Sequence, residues 1–406
     1  MYGHRAIPHA CFLVDKYGGH LAYVDAWQRV HVVPTGVPTV LSARGEWRTG
    51  LPTGGPTGGY VGDWNYRATL SKPASSWKAA FKDRRTGKVV RTVMGGEARG
   101  VLFADWDGRT DLGKLAVNGR YDWTLTVQPA DGHGAALTRT GEYALTHAAP
   151  AWRDFGGRDG LGDLFVAVDE GMIGLRRGRL PGTVGPHMGH WGLFDVASTR
   201  IVPTGDLRGD GCNDYLAVKD DGTLIRLDGS CDDDSGYGFH TEPVKIGIGW
   251  KPYDLFAPGD INGDKVADLL ARQKSTGYLY LYPGDGNGRL KARTKIGTGW
   301  NGLTVVGAGD LTGDGFGDLL VRDKAGVLWR YNGTGTGRVA PKVRVSAGWQ
   351  VYNALAAVGD ITGDGKNDLL ARDRDGVLWR YTGTGSGTFL AKSRMGPGWQ
   401  KYPKVF

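Results

Sequence analysis

Short segments rich in aspartate and glycine recur in the second half of this chain of 406 residues. Asp206, Asp260, Asp310 and Asp360 each follow a glycine and are separated by 54, 50 and 50 residues. The segment 310–318, DLTGDGFGD, has side-chain oxygens at positions 1, 3, 5 and 9 and glycine at position 6. Such a loop can wrap a hard cation, because carboxylates and the carbonyl of position 7 supply oxygens and glycine permits the sharp turn.

The alternative is that these aspartates cap turns between strands by accepting backbone N–H groups. One aspartate per turn would serve that purpose, whereas each of these segments gathers three carboxylates. Two unit charges 4 Å apart at an effective dielectric constant of 20 repel by about 4 kcal/mol. We therefore expect Ca²⁺ in the loops, in preference to plain turns or to Mg²⁺ with its octahedral geometry and retained water.

The expected ligands are the side chains at positions 1, 3, 5 and 9 and the carbonyl of position 7. The two best sets are Asp310, Thr312, Asp314, Phe316, Asp318 and Asp360, Thr362, Asp364, Lys366, Asp368. A third set is Asp260, Asn262, Asp264, Val266 and Asp268, and a fourth is Asp206, Asp210 and Asp214.

Three copies depart from the pattern. Lys265 replaces the turn glycine in the third set, which predicts backbone strain. Arg208 takes position 3 in the fourth set, where a guanidinium cannot ligate and could stand in for the ion. The copy near residue 154 has an extra residue and, with Phe155 read at position 1, is expected to be empty.

Two further groups could bind a ligand or serve packing. Arg272, Arg322 and Arg372 each stand four residues after the last aspartate of a loop, and we expect them to brace a loop or a neighbouring blade. Trp329, Tyr331, Trp379 and Tyr381 alternate along GVLWRY segments, where packing between blades is favoured over stacking on sugar rings.

The remaining composition argues against several classes of function. Net charge is +8, but no run of five Lys or Arg occurs, so no nucleic-acid partner is expected. No stretch is apolar enough to span a membrane. Residues 251–406 contain no His, Glu or Cys, and no catalytic motif is found elsewhere, so we expect no enzyme activity.

The cysteines and the first residues bear on the compartment. Cys212 and Cys231 flank a predicted hairpin and could form a disulfide, with two buried thiols as the alternative. The first residues, MYGHRAIPHACFLV, lack an apolar core of signal-peptide length. We expect the start to be truncated or internal to a longer protein.

The elements that must position these residues are short strands. Residues 1–49 predict a hairpin of HLAYV and RVHVV, and residues 50–62 predict a Gly/Pro linker. Residues 63–148 predict a β-sandwich, in which Asn118-Gly119 makes a hairpin turn before the alternating strand YDWTLTV.

Residues 149–406 repeat a unit of four short strands, which predicts propeller blades. The first unit lacks a strand that begins with Trp, and the chain ends in one such strand, GWQKYPKVF. Pairing these ends would close a ring without a free edge. The predicted fold class is therefore all-β, a five-bladed β-propeller preceded by an Ig-like β-sandwich.

The segments GDLTGDGFGDLL and GDITGDGKNDLL resemble the FG-GAP/VCBS repeats of calcium-loop propellers related to integrin α-subunit heads. The segment WDGRTDLGKLAVNGRYDWTLTV resembles FlgD-like Ig domains, which implies a spacer or presenting module. The unit that begins with Trp is also similar to five-bladed lectins of the tachylectin kind.

The FG-GAP resemblance implies a secreted or surface-exposed, calcium-stabilised propeller. We therefore expect a monomeric, non-catalytic protein that binds an extracellular protein or polysaccharide. The alternatives are a carbohydrate-binding propeller lectin and the accessory region of a larger extracellular enzyme.

Overall fold

A computed structural model describes residues 12–14, 20–24, 27, 29–34, 40–49, 64–146, 148–156, 159–168, 173–191, 200–229 and 242–406. Regular structure in these residues is β-strand, apart from the single-turn 3₁₀ helices Trp349–Val351 and Trp399–Lys401. In this part of the chain no helix has the length and apolar character needed to cross a bilayer.

The first sheet contains β1 (Phe12–Val14), β2 (His20–Val24) and β3 (Val30–Pro34), in that order. β2 and β3 pair antiparallel, with Val24 opposite Val30, which confirms the predicted hairpin. β1 adds a third strand that was not predicted.

Two antiparallel sheets then enclose one core, as a sandwich does. Their orders are β4-β5-β8 and β10-β9-β6-β7. The strands are β4 (Ala43–Thr49), β5 (Trp64–Leu70), β6 (Ala74–Asp83), β7 (Val89–Gly95), β8 (Val101–Trp106), β9 (Gly119–Pro129) and β10 (Leu137–Leu145). Along β9 the side chains of Tyr121, Trp123, Leu125 and Val127 are buried, because alternate residues of a strand face one side.

Two predictions for this region need correction. Leu41 belongs to the sandwich core and β4 pairs with β5, so the sandwich includes residues that were assigned to the separate segment 1–49. Asn118-Gly119 does not connect two paired strands, because β8 pairs with β5 and not with β9. Instead, the side chain of Asn118 donates to the carbonyl of Gly211 at 2.6 Å and accepts from the N–H of Ala148 at 2.8 Å.

Five antiparallel sheets follow in the described part of the chain, each with its strands in sequence order. The first contains β11 (Leu164–Ala167), β12 (Ile173–Arg179) and β13 (Thr183–Trp191). The second contains β14 (Arg200–Pro203), β15 (Tyr215–Val218), β16 (Leu224–Leu227) and β17 (Val244–Gly247). The third contains β18 (Tyr253–Gly259), β19 (Asp268–Gln273), β20 (Leu279–Tyr282) and β21 (Thr294–Gly297).

The last two sheets repeat the third closely. The fourth contains β22 (Thr304–Gly309), β23 (Asp318–Arg322), β24 (Leu328–Tyr331) and β25 (Val343–Ser346). The fifth contains β26 (Tyr352–Gly359), β27 (Asp368–Asp373), β28 (Leu378–Tyr381) and β29 (Ser393–Gly396).

Successive sheets bury their faces against each other in shared apolar clusters. Phe165 of the first sheet packs with Tyr215 of the second, and equivalent clusters join the second to the third, the third to the fourth and the fourth to the fifth. A further cluster joins Leu164 and Val166 of the first sheet to Val358 and Leu370 of the fifth.

The end of the chain adds an edge to the first sheet. Val405 pairs antiparallel with Val166 in β11. The N–H of Ala167 donates to the carbonyl of Lys404 at 3.0 Å, and the N–H of Phe406 donates to the carbonyl of Phe165 at 2.9 Å. The predicted pairing of the C-terminal segment with the first unit is therefore present.

Candidate metal loops and the surrounding sites

The Asp-Gly loops connect the first two strands of each four-stranded sheet from the second to the fifth. In the third sheet, for example, β18 ends at Gly259, and Asp268 begins β19. The loop sequence is too rich in glycine and aspartate to continue either strand, so it turns the chain back over nine residues. All four sets of predicted ligands thus lie at the same end of their sheets.

The aspartate at position 1 holds the turn together. Asp310 Oδ1 accepts from the N–H of Gly313 at 2.6 Å, and its Oδ2 accepts from the N–H of Gly315 at 2.8 Å. Asp206, Asp260 and Asp360 accept from the equivalent N–H groups. The aspartates at position 1 therefore cap the turns by accepting backbone N–H groups, which is the alternative role given above for these residues.

The strain predicted at Lys265 is present. Lys265 has a backbone φ of 68°, in the left-handed region, where the other loops carry a glycine. A side chain there costs conformational energy that glycine does not.

The aspartate at position 9 ties the loop to the third strand of its sheet. Asp318 is fully buried and accepts from the N–H of Leu311 at 2.9 Å and from the N–H of Gly333 at 3.0 Å. Asp214, Asp268 and Asp368 make the same pair of bonds in their sheets. A β-carbon at Gly333 would lie 2.4 Å from the carbonyl oxygen of Gly317, so this approach requires glycine.

Burial sets the electrostatics of these carboxyls. It raises the pKa of Asp318 and of Asp368 to about 6, and that of Asp268 to about 7. The neighbouring aspartates of the same loop raise the pKa further, and the backbone N–H groups lower it. Like charges gathered in a buried corner disfavour the ionised form, and a bound cation would favour it.

Each loop is named below by the number of its position 1 aspartate, so the loop 310–318 is the 310 loop. Side-chain oxygens from positions 1, 3 and 9 lie close together in this loop. Thr312 Oγ1 lies 3.4 Å from Asp310 Oδ1 and 3.3 Å from Asp318 Oδ2. Within the described residues, no three Asp, Glu, His or Cys side chains form a cluster that could hold a metal by themselves. A cation here would thus also need the hydroxyl and carbonyl oxygens of the predicted set, which are hard donors that suit Ca²⁺.

In the 206 loop the positive charge comes from the arginine side chain of the loop itself. Arg208 Nη2 lies 2.7 Å from Asp210 Oδ2, and its Nε lies 3.0 Å from Asp214 Oδ1. The guanidinium thus bridges positions 5 and 9, and these residues do not fit a metal ion. Burial raises the pKa of Asp214 to about 7 even with this partner.

The other loops differ in their cationic neighbours. Lys291 Nζ lies 3.2 Å from Asp264 Oδ2, and Arg85 Nη1 lies 2.7 Å from Asp360 Oδ2. Among the described residues, no Lys or Arg nitrogen forms an ion pair with Asp310, Asp314 or Asp318. The 310 loop is therefore the one whose charge is least compensated.

The copy near residue 154 corrects the expected alignment. Asp154, not Phe155, holds position 1, because its Oδ2 accepts from the N–H of Gly160 at 2.9 Å. Asp163 holds position 9 and accepts from the N–H groups of Phe155 and Gly178. Burial and repulsion from Asp159 raise the pKa of Asp154 and of Asp163 well above the usual range, and Asp154 raises that of Asp163 further.

Trp152 is a central residue that the sequence analysis missed. It stands within 4 Å of where a β-carbon would lie on each glycine that precedes a position 1 aspartate, namely Gly205, Gly259, Gly309 and Gly359. It also lines a cavity of about 320 Å³, together with Arg85, Asp260, Asp310 and Asp360. The repeated Gly-Asp pair was the available signal, since a glycine at each equivalent position indicates a shared close approach.

The arginines after the loops brace neighbouring sheets, as predicted. Arg322 Nη1 donates to the carbonyls of Trp349 at 3.0 Å and Tyr352 at 2.6 Å, where the next sheet begins. Arg272 makes the same pair of bonds to Trp300 and Leu303. Arg372 donates to Trp399 and Tyr402.

The aromatic candidates separate into two groups. Tyr331 packs against Trp300, with ring centroids 4.9 Å apart, and Tyr381 packs against Trp349 at 4.5 Å. These two tyrosines join clusters between sheets, as expected for packing residues.

The two tryptophans make more polar contacts. Trp329 Nε1 donates to Asp323 at 2.8 Å, and Lys342 Nζ lies 4.2 Å from the centre of its ring. Trp379 repeats this arrangement with Asp373 and Lys392. Both tryptophans are only partly buried.

A second cavity, of about 430 Å³, lies near the opposite end of the first strands. It is lined in part by Arg200, Asp254, Phe256, Lys404 and Phe406. Arg200 and Asp254 stand at the starts of β14 and β18, whereas the Asp-Gly loops follow the ends of these strands.

The predicted disulfide stays a prediction. Cys212 is buried at 5% exposure, and Cys231 lies outside the described residues.

Comparison with known families finds two matches. Residues 260–321 and 310–371 match the FG-GAP-like repeat, and residues 59–131 match the FlgD Ig-like domain. No curated protein sequence is detectably similar to this chain.

Solved structures include distant likenesses. A lectin of Agrocybe aegerita, described as recognising non-reducing terminal N-acetylglucosamine, is 16% identical, with 81% of this chain and 94% of that chain covered and a TM-score of 0.37. The BP39L lectin of Burkholderia pseudomallei is 14% identical, with 96% of each chain covered and a TM-score of 0.36.

These TM-scores are too low for the two lectins to bear on what this chain binds. The family matches fall on the loops and the sandwich described above. The chain therefore carries two FG-GAP-like repeats and, ahead of them, an Ig-like domain of the FlgD type.

Proposed function

We propose that this chain is a non-catalytic, calcium-stabilised binding protein, built as a five-bladed propeller with an Ig-like sandwich ahead of it. The five successive sheets, the cluster that joins the first to the fifth and the pairing of Val405 with Val166 support a closed ring. A closed ring gives every sheet a neighbour on both faces, leaves only the short outer strands as edges, and presents loops at its two ends for binding.

The 310 loop carries the calcium part of the proposal. It gathers three carboxylates without an ion-paired Lys or Arg among the described residues, and Asp318 is fully buried. Asp310, Thr312, Asp314 and Asp318 would hold the ion together with the carbonyl of Phe316. Calcium would supply the positive charge that keeps Asp318 ionised, and it would stabilise the fold because it binds only the folded state.

Thermal melting with and without chelator tests this part of the proposal. EDTA should lower the Tm of the wild-type protein, and Asp314→Asn should remove a large part of that difference. Asp375→Asn is the matched control, because Asp375 is an exposed aspartate in a turn outside the loops. A Tm that is the same in EDTA and in millimolar calcium would overturn the calcium role.

An extracellular or cell-surface location suits this chemistry. Loops of modest affinity fill at the millimolar calcium found outside cells. The ligand would be an extracellular protein or polysaccharide, and the Ig-like domain would serve as a spacer.

A second candidate is a carbohydrate-binding propeller, favoured by Trp329 and Trp379. Each indole is only partly buried, and its N–H is fixed by an aspartate, so its orientation is set before a ligand arrives. Such a ring can stack on the apolar face of a sugar.

A glycan array distinguishes the two candidates. Calcium-independent sugar binding that is lost in Trp379→Ala, and kept in Phe103→Ala, would favour the carbohydrate-binding function. Phe103 is an exposed aromatic residue of the sandwich and serves as the control.

A further inference from the structure

Arg85 is carried by the sandwich but contacts a loop of the fifth sheet. It lies in the turn between β6 and β7, and its Nη1 is 2.7 Å from Asp360 Oδ2. Its Nη2 is 3.1 Å from Asp83 Oδ2 in the same turn. The side chains of Arg85 and Asp360 are only 11% and 7% exposed, so this ion pair is largely shielded from water.

The backbone of the same turn also packs against the 360 loop. A β-carbon at Gly363 would lie 3.0 Å from the carbonyl oxygen of Arg85, and one at Gly365 would lie 3.6 Å from Thr86. A second contact joins the two parts of the chain where Asn118 bonds to the carbonyl of Gly211. The sandwich thus rests on the end of the sheets that carries the loops.

The equivalent aspartates show what Arg85 adds. Within the residues that the structure describes, Asp310 Oδ2 accepts only the N–H of Gly315, and Asp260 Oδ2 accepts only the N–H of Lys265. Asp360 Oδ2 accepts the N–H of Gly365 and, in addition, the guanidinium of Arg85. The Oδ2 atom of the position 1 aspartate therefore has an additional cationic partner in the 360 loop that it lacks, among the described residues, in the 260 and 310 loops.

We propose that Arg85 takes the place of the metal ion at the 360 loop, so that the sandwich neutralises this loop and is held to the sheets by it. The 206 loop is neutralised in the same way by its own Arg208, which bridges two carboxylates. Calcium then binds at the 310 loop and at the 260 loop. Lys291 is half-exposed there and can swing away from Asp264.

This inference rests on the proposed calcium binding, and a calcium count on the whole chain tests both. The calcium-stripped protein is dialysed to equilibrium against calcium, and the bound ions are counted per chain. Arg85→Met, which keeps the bulk and removes the charge, should bind one more ion than the wild type. Arg84→Met is the control, because Arg84 pairs with Asp122 and Glu142 inside the sandwich.

Two further variants change exposed loop residues and leave the sandwich unaltered, so their calcium counts do not depend on how well the sandwich folds. Asp364→Asn should leave the wild-type count unchanged, whereas Asp314→Asn should lower it by one ion. Loss of an ion in Asp364→Asn, or an unchanged count in a folded Arg85→Met, would overturn the inference and leave the proposed function standing. A count of zero in every protein would overturn both.

Discussion

Trp152 Nε1 occupies the space that a side chain at Gly309 would need. A β-carbon built on Gly309 would lie 2.6 Å from this nitrogen, and one on Gly359 would lie 2.1 Å from the carbonyl oxygen of Trp152. A β-carbon on Gly205 would lie 3.0 Å from Cζ3 of the same ring. Trp152 thus leaves no room for a side chain at Gly309 or Gly359 and little room at Gly205.

Gly309→Ala should therefore destabilise the protein more than backbone strain alone explains. The added methyl group would also lie 2.6 Å from Asn367 Nδ2, so Trp152 or Asn367 must move. Such a shift costs about 1–3 kcal/mol in a packed site. Gly299→Ala is the matched control, because Gly299 also has a positive φ of 77° but no atom within 4 Å of its β-carbon position. The free energy of unfolding from urea titration measures both variants, and equal losses would contradict this role for Trp152.

The loops show how far sequence reasoning reaches. Position, spacing and residue type predicted the four loops, because each loop is a local turn encoded by nine consecutive residues. The 310 and 360 loops are equivalent in sequence, yet only Asp360 receives Arg85, which stands 275 residues earlier. A contact across that separation depends on how the sandwich rests on the sheets, and no local pattern encodes it.

The same limit explains the misread copy near residue 154. Its extra residue shifts the spacing, and only the bonds of Asp154 and Asp163 identify their positions in the loop. Trp152 was missed because it stands just ahead of that copy and its partners are backbone glycines of other sheets. The strand pattern and the pairing of the chain ends, by contrast, followed from alternation and from the repeat.

The buried carboxyls predict a pH dependence of stability in the metal-free protein. In the folded state the pKa of Asp318 and of Asp368 is about 6, above the ordinary value near 4. The folded protein therefore binds a proton at each of these carboxyls more tightly than the unfolded chain does. The stability they contribute is fully present below about pH 4 and is lost as pH rises through about 6. We expect a loss of about 1–3 kcal/mol for each such group in EDTA.

Urea midpoints between pH 4 and pH 7 measure this effect. Calcium should flatten the slope, because the ion favours the charged form of Asp318. Asp318→Asn should flatten it as well, although its amide cannot accept both N–H bonds and lowers stability at every pH. Identical slopes with calcium, with EDTA and in the variant would contradict the assignment.

Arg208→Thr gives the 206 loop a threonine at position 3, as the 310 loop has. In EDTA this variant should lose about 1–3 kcal/mol, because Asp214 is buried and loses its charged partner. Added calcium should recover more stability in this variant than in the wild type, since the loop then has oxygen ligands at all four positions. Melting curves in EDTA and in calcium measure the difference, and an equal calcium response in both proteins would refute it.

The C-terminal segment that pairs with β11 gives a final prediction. Val405 is buried between the first and fifth sheets and pairs with Val166, whereas Lys404 beside it is exposed and contributes its carbonyl to β11. Val405→Asp puts an unpaired carboxylate into this apolar cluster and should cost at least about 3 kcal/mol. Lys404→Asp adds the same side chain on the exposed side of the strand and should cost less than about 1 kcal/mol.

Urea unfolding compares the two variants. Both keep the backbone bonds to β11, so a large difference in the free energy of unfolding would come from the packing of Val405 between the first and fifth sheets. Similar and small losses would mean that the C-terminal segment does not close the ring.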